Sequence, residues 1–210
     1  MQDFRVTFSK TDLLIYTSHL DLQRGFVRVF NRAGLCVKCT EGFNPHPKIV
    51  FALPLSLGME GKRELVDFTL DSQMSNSELL CLLNANMPKG LKAIEVGKPD
   101  KKFKHIKSAD YTLTLCNTSG VSDKICEFLK QKPLNVKKKG KDTDKIIEIS
   151  SNILAFEVNE LDGAMVIDIT LSASPDNYVN PECIINALIE NRLCNTDKYR
   201  ISRNKINFEE

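Results

Sequence analysis

The chain reads as an α+β protein made of two tandem ferredoxin-like halves, each an antiparallel sheet in β-α-β-β-α-β order with both helices on one face. Three observations predict this. Apolar alternation with period two opens each half, at Phe4–Phe8 and at Tyr111–Cys116, and a helical pattern follows each time. Paired strand-like runs come next, and a second helix then precedes a last strand in both halves. Between the halves, Lys98 to Ser108 is lysine-rich and lacks apolar periodicity, so it reads as a linker between residues 1–97 and 109–210.

In the first half, Phe4, Val6 and Phe8 share one face of a strand. Ser18 is the expected N-cap of a helix, with Asp21 in the capping-box position, and Leu22, Phe26, Val29, Phe30 and Ala33 form its core stripe until Gly34 stops it. Pro45 and Pro47 fix φ and push Asn44 and His46 into extended conformations, so Gly42 to Lys48 is a stiff loop leading into a short strand at Ile49–Leu53. Glu60 to Arg63 reads as a turn, Glu64–Leu70 as the returning strand, Ser77–Met87 as a helix and Leu91–Val96 as the closing strand. The second half offers a helix at Val121–Lys130, strands at Leu134–Lys137, Ile146–Ile149, Leu154–Val158 and Met165–Leu171, a helix at Pro181–Asn191 capped by Asn180, and a strand at Tyr199–Phe208.

Composition narrows the function classes. The 210 residues are 42% hydrophobic and 27% charged, the balance of a soluble globular chain. No apolar run reaches the roughly 20 residues of a membrane span, and the N-terminus lacks a signal peptide's apolar core, which implies a cytoplasmic protein. Seven scattered cysteines suit a reducing compartment, and Cys36 and Cys39, the one C-x-x-C pair, have no second ligand pair for zinc. A net charge of +2 gives no whole-molecule basic field, but five lysines fall in Lys98–Lys107 and five in Lys137–Lys145, among them Lys139 and Lys141.

The most suggestive chemistry is on the first helix. Arg24, Arg28 and Arg32 recur at every fourth position, so successive guanidiniums are offset by about 40° and about 6 Å along one face. Such forks match phosphate oxygens, although pairing with Glu60, Glu64 or Asp67 is the alternative. Asn44, His46 and Lys48 on the stiff loop could extend the same binding surface. His19, Asp21 and His46 are candidates for acid–base work, yet plain ferredoxin-like topology puts the helix start and the loop at opposite ends of the sheet, about 17 Å apart. A third option is an adaptor that docks on a protein through the apolar segment Phe43 to Leu57.

Tyr16 to Arg24, Arg28 to Leu35, and above all Gly42-Phe43-Asn44-Pro45-His46-Pro47-Lys48 through Pro54–Gly58 and Glu64 resemble the radical-SAM-linked (radical SAM-associated) bacterial protein family, a domain of unknown function. Lys139-Gly140 and Glu148-Ile149 resemble its second-half pattern more loosely, and the chain departs from it at Cys36, usually proline, and Cys39, often aromatic. The resemblance implies a companion of a radical S-adenosylmethionine enzyme and a leaning towards RNA, tRNA or rRNA, since tandem ferredoxin-like halves also occur in RNA-processing proteins and pseudouridine synthases. The chain has no C-x3-C-x2-C run, so the iron–sulfur cluster and S-adenosylmethionine are expected only in the partner, with no metal or cofactor here.

Overall fold

Phe4, Val6 and Phe8 do alternate inward, and the first unit is assembled around them. The computed structural model describes residues 1–116, 118–138, 145–174, 177–194 and 198–209, so Lys139, Gly140 and Lys141 lie outside the described residues. The chain divides into two units, Met1–Phe103 and Lys104–Glu210.

In the first, β1 (Gln2–Lys10), α1 (His19–Arg32), β2 (Ile49–Phe51), β3 (Met59–Leu70), α2 (Asn76–Asn86) and β4 (Leu91–Gly97) follow in order. The sheet runs β4-β1-β3-β2, every neighbour antiparallel, which is the ferredoxin-like arrangement. Register sets Val6 between Val66 and Val96, so the inward faces of three strands make one apolar surface. Leu22, Phe26, Val29 and Phe30 of α1 and Leu79 and Leu83 of α2 cover it. Aromatic edges interlock there: Phe8 and Phe26 meet with centroids 5.0 Å apart, and Phe30 and Phe68 at 4.6 Å. Burying each of these rings stabilises the unit by about 1.5–3 kcal/mol.

On the opposite sheet face Arg5 donates from Nε and Nη2 to the two carboxylate oxygens of Asp67, both at 2.8 Å. It also donates to Asp100 Oδ1 at 3.2 Å and the Lys101 carbonyl at 2.7 Å, and its guanidinium lies 4.5 Å from the Phe103 ring centroid. This corrects the linker expected at 98–108. Its first part folds back over Arg5 because a fork with five donors needs acceptors there, and its last three residues, Ile106 to Ser108, already belong to the next strand.

The second unit repeats the plan with β5 (Ile106–Leu115), α3 (Ser122–Leu129), β8 (Ile153–Leu161), β9 (Ala164–Ser174), α4 (Glu182–Glu190) and β11 (Tyr199–Phe208), ordered β11-β5-β9-β8 and antiparallel throughout. A separate hairpin, β6 (Asn135–Lys138) with β7 (Lys145–Glu148), is inserted after α3, and β10 (Asn177–Tyr178) pairs with the end of β9. Asn180 Oδ1 accepts from the Glu182 amide at 3.1 Å, as the expected cap requires.

In the first unit β2 stops at Phe51, two residues short of the expected Leu53, and two stretches change type. The stretch from Glu60 to Arg63 is strand, because Gly61 pairs with Lys10 and the Glu64 side chain occupies the space a Cβ would need, its Cγ 2.5 Å from that position. Before α1, Asp12–Tyr16 forms a 3-10 turn with no apolar period to announce it.

Candidate functional site

The start of α1 is a closed local circuit. Ser18 Oγ accepts from the Asp21 amide at 3.1 Å and donates to Asp21 Oδ2 at 2.7 Å, while Arg24 Nη1 donates to Asp21 Oδ1 at 3.2 Å. The Ser18 hydroxyl, followed by Arg24 and Arg28, holds the Asp21 carboxyl below its ordinary range. Asp21 is thus a capping anion and the first neighbour of the arginine ladder.

Arg24, Arg28 and Arg32 are all exposed and span about 12 Å of helix. Arg32 Nη2 donates to the Asn86 carbonyl at the end of α2, where a cation also suits the helix dipole. Of the acids considered as partners, Asp67 holds Arg5 and Glu64 is buried.

The stiff loop closes into a hairpin. Lys38 N donates to Thr69 O at 2.9 Å, Lys48 N to Lys38 O at 2.8 Å and Thr40 N to His46 O at 2.8 Å, with Cys39 opposite Pro47. Gly42, at φ +132°, makes the turn that a side chain would resist. At its tip residues 41 to 46 are exposed, and Phe43 is fully so at 112%. The His46 amide donates to Thr40 Oγ1 at 3.2 Å, and its ring Nδ1 lies 3.1 Å from Thr40 Oγ1 and 3.2 Å from the Asn44 carbonyl. A carbonyl only accepts, so the neutral ring carries its proton on Nδ1 and keeps Nε2 as an acceptor.

These candidates fall into three places. His19 packs edge-on against Phe51 at 5.2 Å, and His46 lies five extended residues upstream of Phe51, about 16 Å away. His19 and Asp21 therefore do not meet His46. Lys48 precedes Ile49, whose side chain joins the core under the helices, so strand alternation turns Lys48 to the other sheet face from the ladder. The continuous surface of Arg24, Arg28, Arg32 and Lys48 is not formed. Arg32, Asn44 and His46 do share one end of the unit, because α1 runs back along β1 and finishes where the hairpin begins.

Two features escaped the sequence reading. Lys10 is buried at 1% exposure and donates from Nζ to the carbonyls of Thr17 at 3.0 Å and Ile15 at 3.3 Å. Around the turn it secures, Leu13, Tyr16, Leu20 and Leu57 are exposed apolar side chains, with the Gly58 amide donating to Ile15 O at 2.9 Å. Period-two alternation places Lys10 on the face of Phe8, which was the available signal. Among the described residues no three His, Cys, Asp or Glu side chains gather as a metal site, and no helix is long and apolar enough to cross a membrane.

A family model described as an uncharacterized protein conserved in bacteria, DUF2344, matches residues 4–181. The chain belongs to the DUF2344 family. No curated protein matches it. Among solved structures, the DUF2344 chain is similar to a chain of a Cbf5–Nop10–Gar1 complex, with 10% identity and a TM-score of 0.50 over 97% of this chain and 48% of that one. It thus spans about half the length of that relative, and at this identity the likeness shows the α+β fold alone. An unknown protein from Galdieria sulphuraria aligns over 100% of this chain and 99% of its own, with 10% identity and a TM-score of 0.29.

Proposed function

We propose that this protein is an accessory module that holds RNA, or another phosphate-bearing substrate, for a radical S-adenosylmethionine enzyme and is not itself the catalyst. The observation that carries the reading is the row of exposed guanidiniums at Arg24, Arg28 and Arg32 on one helix face. Each retains donors beyond those used on Asp21 or Asn86, so phosphates can bind by exchange of weak, water-screened contacts. The radical enzyme enters through the sequence resemblance, and S-adenosylmethionine and the iron–sulfur cluster would be that partner's. A self-contained acid–base site has little support, because Asp21 is held ionised in a cap and His46 is distant from His19.

Filter binding to bulk tRNA and rRNA at several salt concentrations tests this, with an Arg24/Arg28/Arg32 triple glutamate variant alongside. Affinity falling steeply with salt and lost in the variant is expected. Equal binding by the folded variant would sink the reading.

A second reading, the protein-docking adaptor, draws on the exposed apolar group Leu13, Tyr16, Leu20 and Leu57. Its partner would be the radical enzyme, and Leu57→Glu would abolish co-elution with that enzyme while leaving RNA affinity intact.

A further inference from the structure

Phe43 is a large apolar ring held wholly in water at the end of a braced hairpin. The brace is specific: Cys39 pairs with Pro47, Thr40 and His46 exchange backbone and side-chain hydrogen bonds, and Pro45 and Pro47 restrict the backbone between them. A tip so restrained loses little entropy when it engages a ligand. On the same exposed tip, three residues further along the chain, His46 spends Nδ1 on atoms of its own hairpin, which leaves Nε2, on the far side of the imidazole, as an acceptor. An aromatic face, a hydrogen-bond acceptor on the same hairpin tip and a row of cations ending at the same end of the unit are the elements by which unpaired nucleotides are bound: a base stacks, its edge is read, and its phosphates are neutralised.

We propose that the finger reads a base. Phe43 stacks on an unpaired nucleobase of an RNA whose phosphates lie along the α1 arginines, and His46 Nε2 accepts from an amino group on that base. Adenine, cytosine and guanine present such a group; uracil has none and can meet Nε2 only through its imide N–H, so a finger that reads an amino group ranks it last. The proposal rests on the RNA-binding reading above and adds to it the substrate class, a single-stranded or looped-out nucleotide.

Fluorescence anisotropy with labelled oligo(A), oligo(C), oligo(U) and a blunt RNA duplex tests it on the full chain. Wild type is expected to bind oligo(A) and oligo(C) more tightly than oligo(U) or the duplex. Phe43→Ala, at a fully exposed position, should keep the fold and lose about 5- to 150-fold on oligo(A), the range of one base–aromatic stack, with the salt dependence unchanged. Phe43→Trp should restore tight binding and show fluorescence quenching by oligo(A), and His46→Ala should erase the preference for oligo(A) over oligo(U). The arginine triple variant should instead flatten the salt dependence. If Phe43→Ala binds like wild type while the arginine variant fails, the finger is no base reader although the RNA reading stands, and a protein pocket becomes its occupant. If wild type binds none of the RNAs, both fall.

Discussion

The Nδ1 of His46 lies 3.2 Å from the carbonyl oxygen of Asn44, two residues upstream, and that contact, with the Thr40 hydroxyl holding the ring against it, sets which ring nitrogen bears the proton. The expected spectrum is concrete. With the ring neutral, long-range nitrogen–proton NMR of histidine-labelled protein should show His46 with a protonated Nδ1 and a bare Nε2. Thr40→Val removes the hydroxyl that accepts the His46 amide and touches the ring, at a cost of about 1 kcal/mol, and should mix the two tautomers. A wild-type ring protonated on Nε2 would refute the assignment.

Lys10 makes a different kind of contact, buried and long in reach. Its ammonium satisfies the Ile15 and Thr17 carbonyls of the turn that enters α1. Lys10→Met keeps the aliphatic stem and removes the donors, so urea unfolding should show a loss of about 2–4 kcal/mol. Amide exchange should quicken first in residues 12 to 17. A neutral effect would mean that water replaces the ammonium there.

What the sequence made legible is what is local. The α1 stripe, the Ser18 cap and the Gly34 stop all depend on neighbours within about four residues, and each stands where the pattern placed it. Gly61 misled because a glycine among charged residues signals a turn, whereas here it makes room for Glu64 across three residues of strand. The fold-back at Arg5 and the closure of the finger depend on residues brought together by the sheet, such as Asp67, which is 62 positions away from Arg5. Lys48 was assigned to the ladder's surface by residue type, and only strand alternation against the buried Ile49 separates them.

Arg5 yields a test of that fold-back. Its bidentate pair with Asp67 is largely buried, with the Arg5 side chain 9% exposed, and the same guanidinium gathers Asp100, the Lys101 carbonyl and Phe103. Arg5→Ala should cost about 3 kcal/mol, since it leaves Asp67 without its fork. It should also release the segment, so that trypsin cuts after Lys98, Lys101 and Lys102 several-fold faster than in wild type. Arg5→Lys, which cannot match two carboxylate oxygens at once, should fall between the two. Unchanged cleavage would show that the segment is held by other contacts.

Asp21 links stability and binding through one carboxylate. Its folded pKa is lowered, chiefly by the Ser18 hydroxyl, so its contribution is fully present above the ordinary aspartate value of about 3.9 and is lost as pH falls through the lowered folded value. Ser18→Ala should move the Asp21 carboxyl's carbon-13 titration up towards that ordinary value and cost the helix about 1 kcal/mol of cap. At neutral pH the anion's effect is on Arg24, its partner at 3.2 Å. Asp21→Asn keeps a side chain of the same shape but withdraws the charge, which releases Arg24 and strengthens the field of the ladder. If the ladder is a phosphate track, affinity for RNA should rise about two- to five-fold at low salt, and the gain should shrink as salt is added. Because every other basic contact is untouched, an unchanged or lower affinity in the folded variant would separate Arg24 from the binding surface.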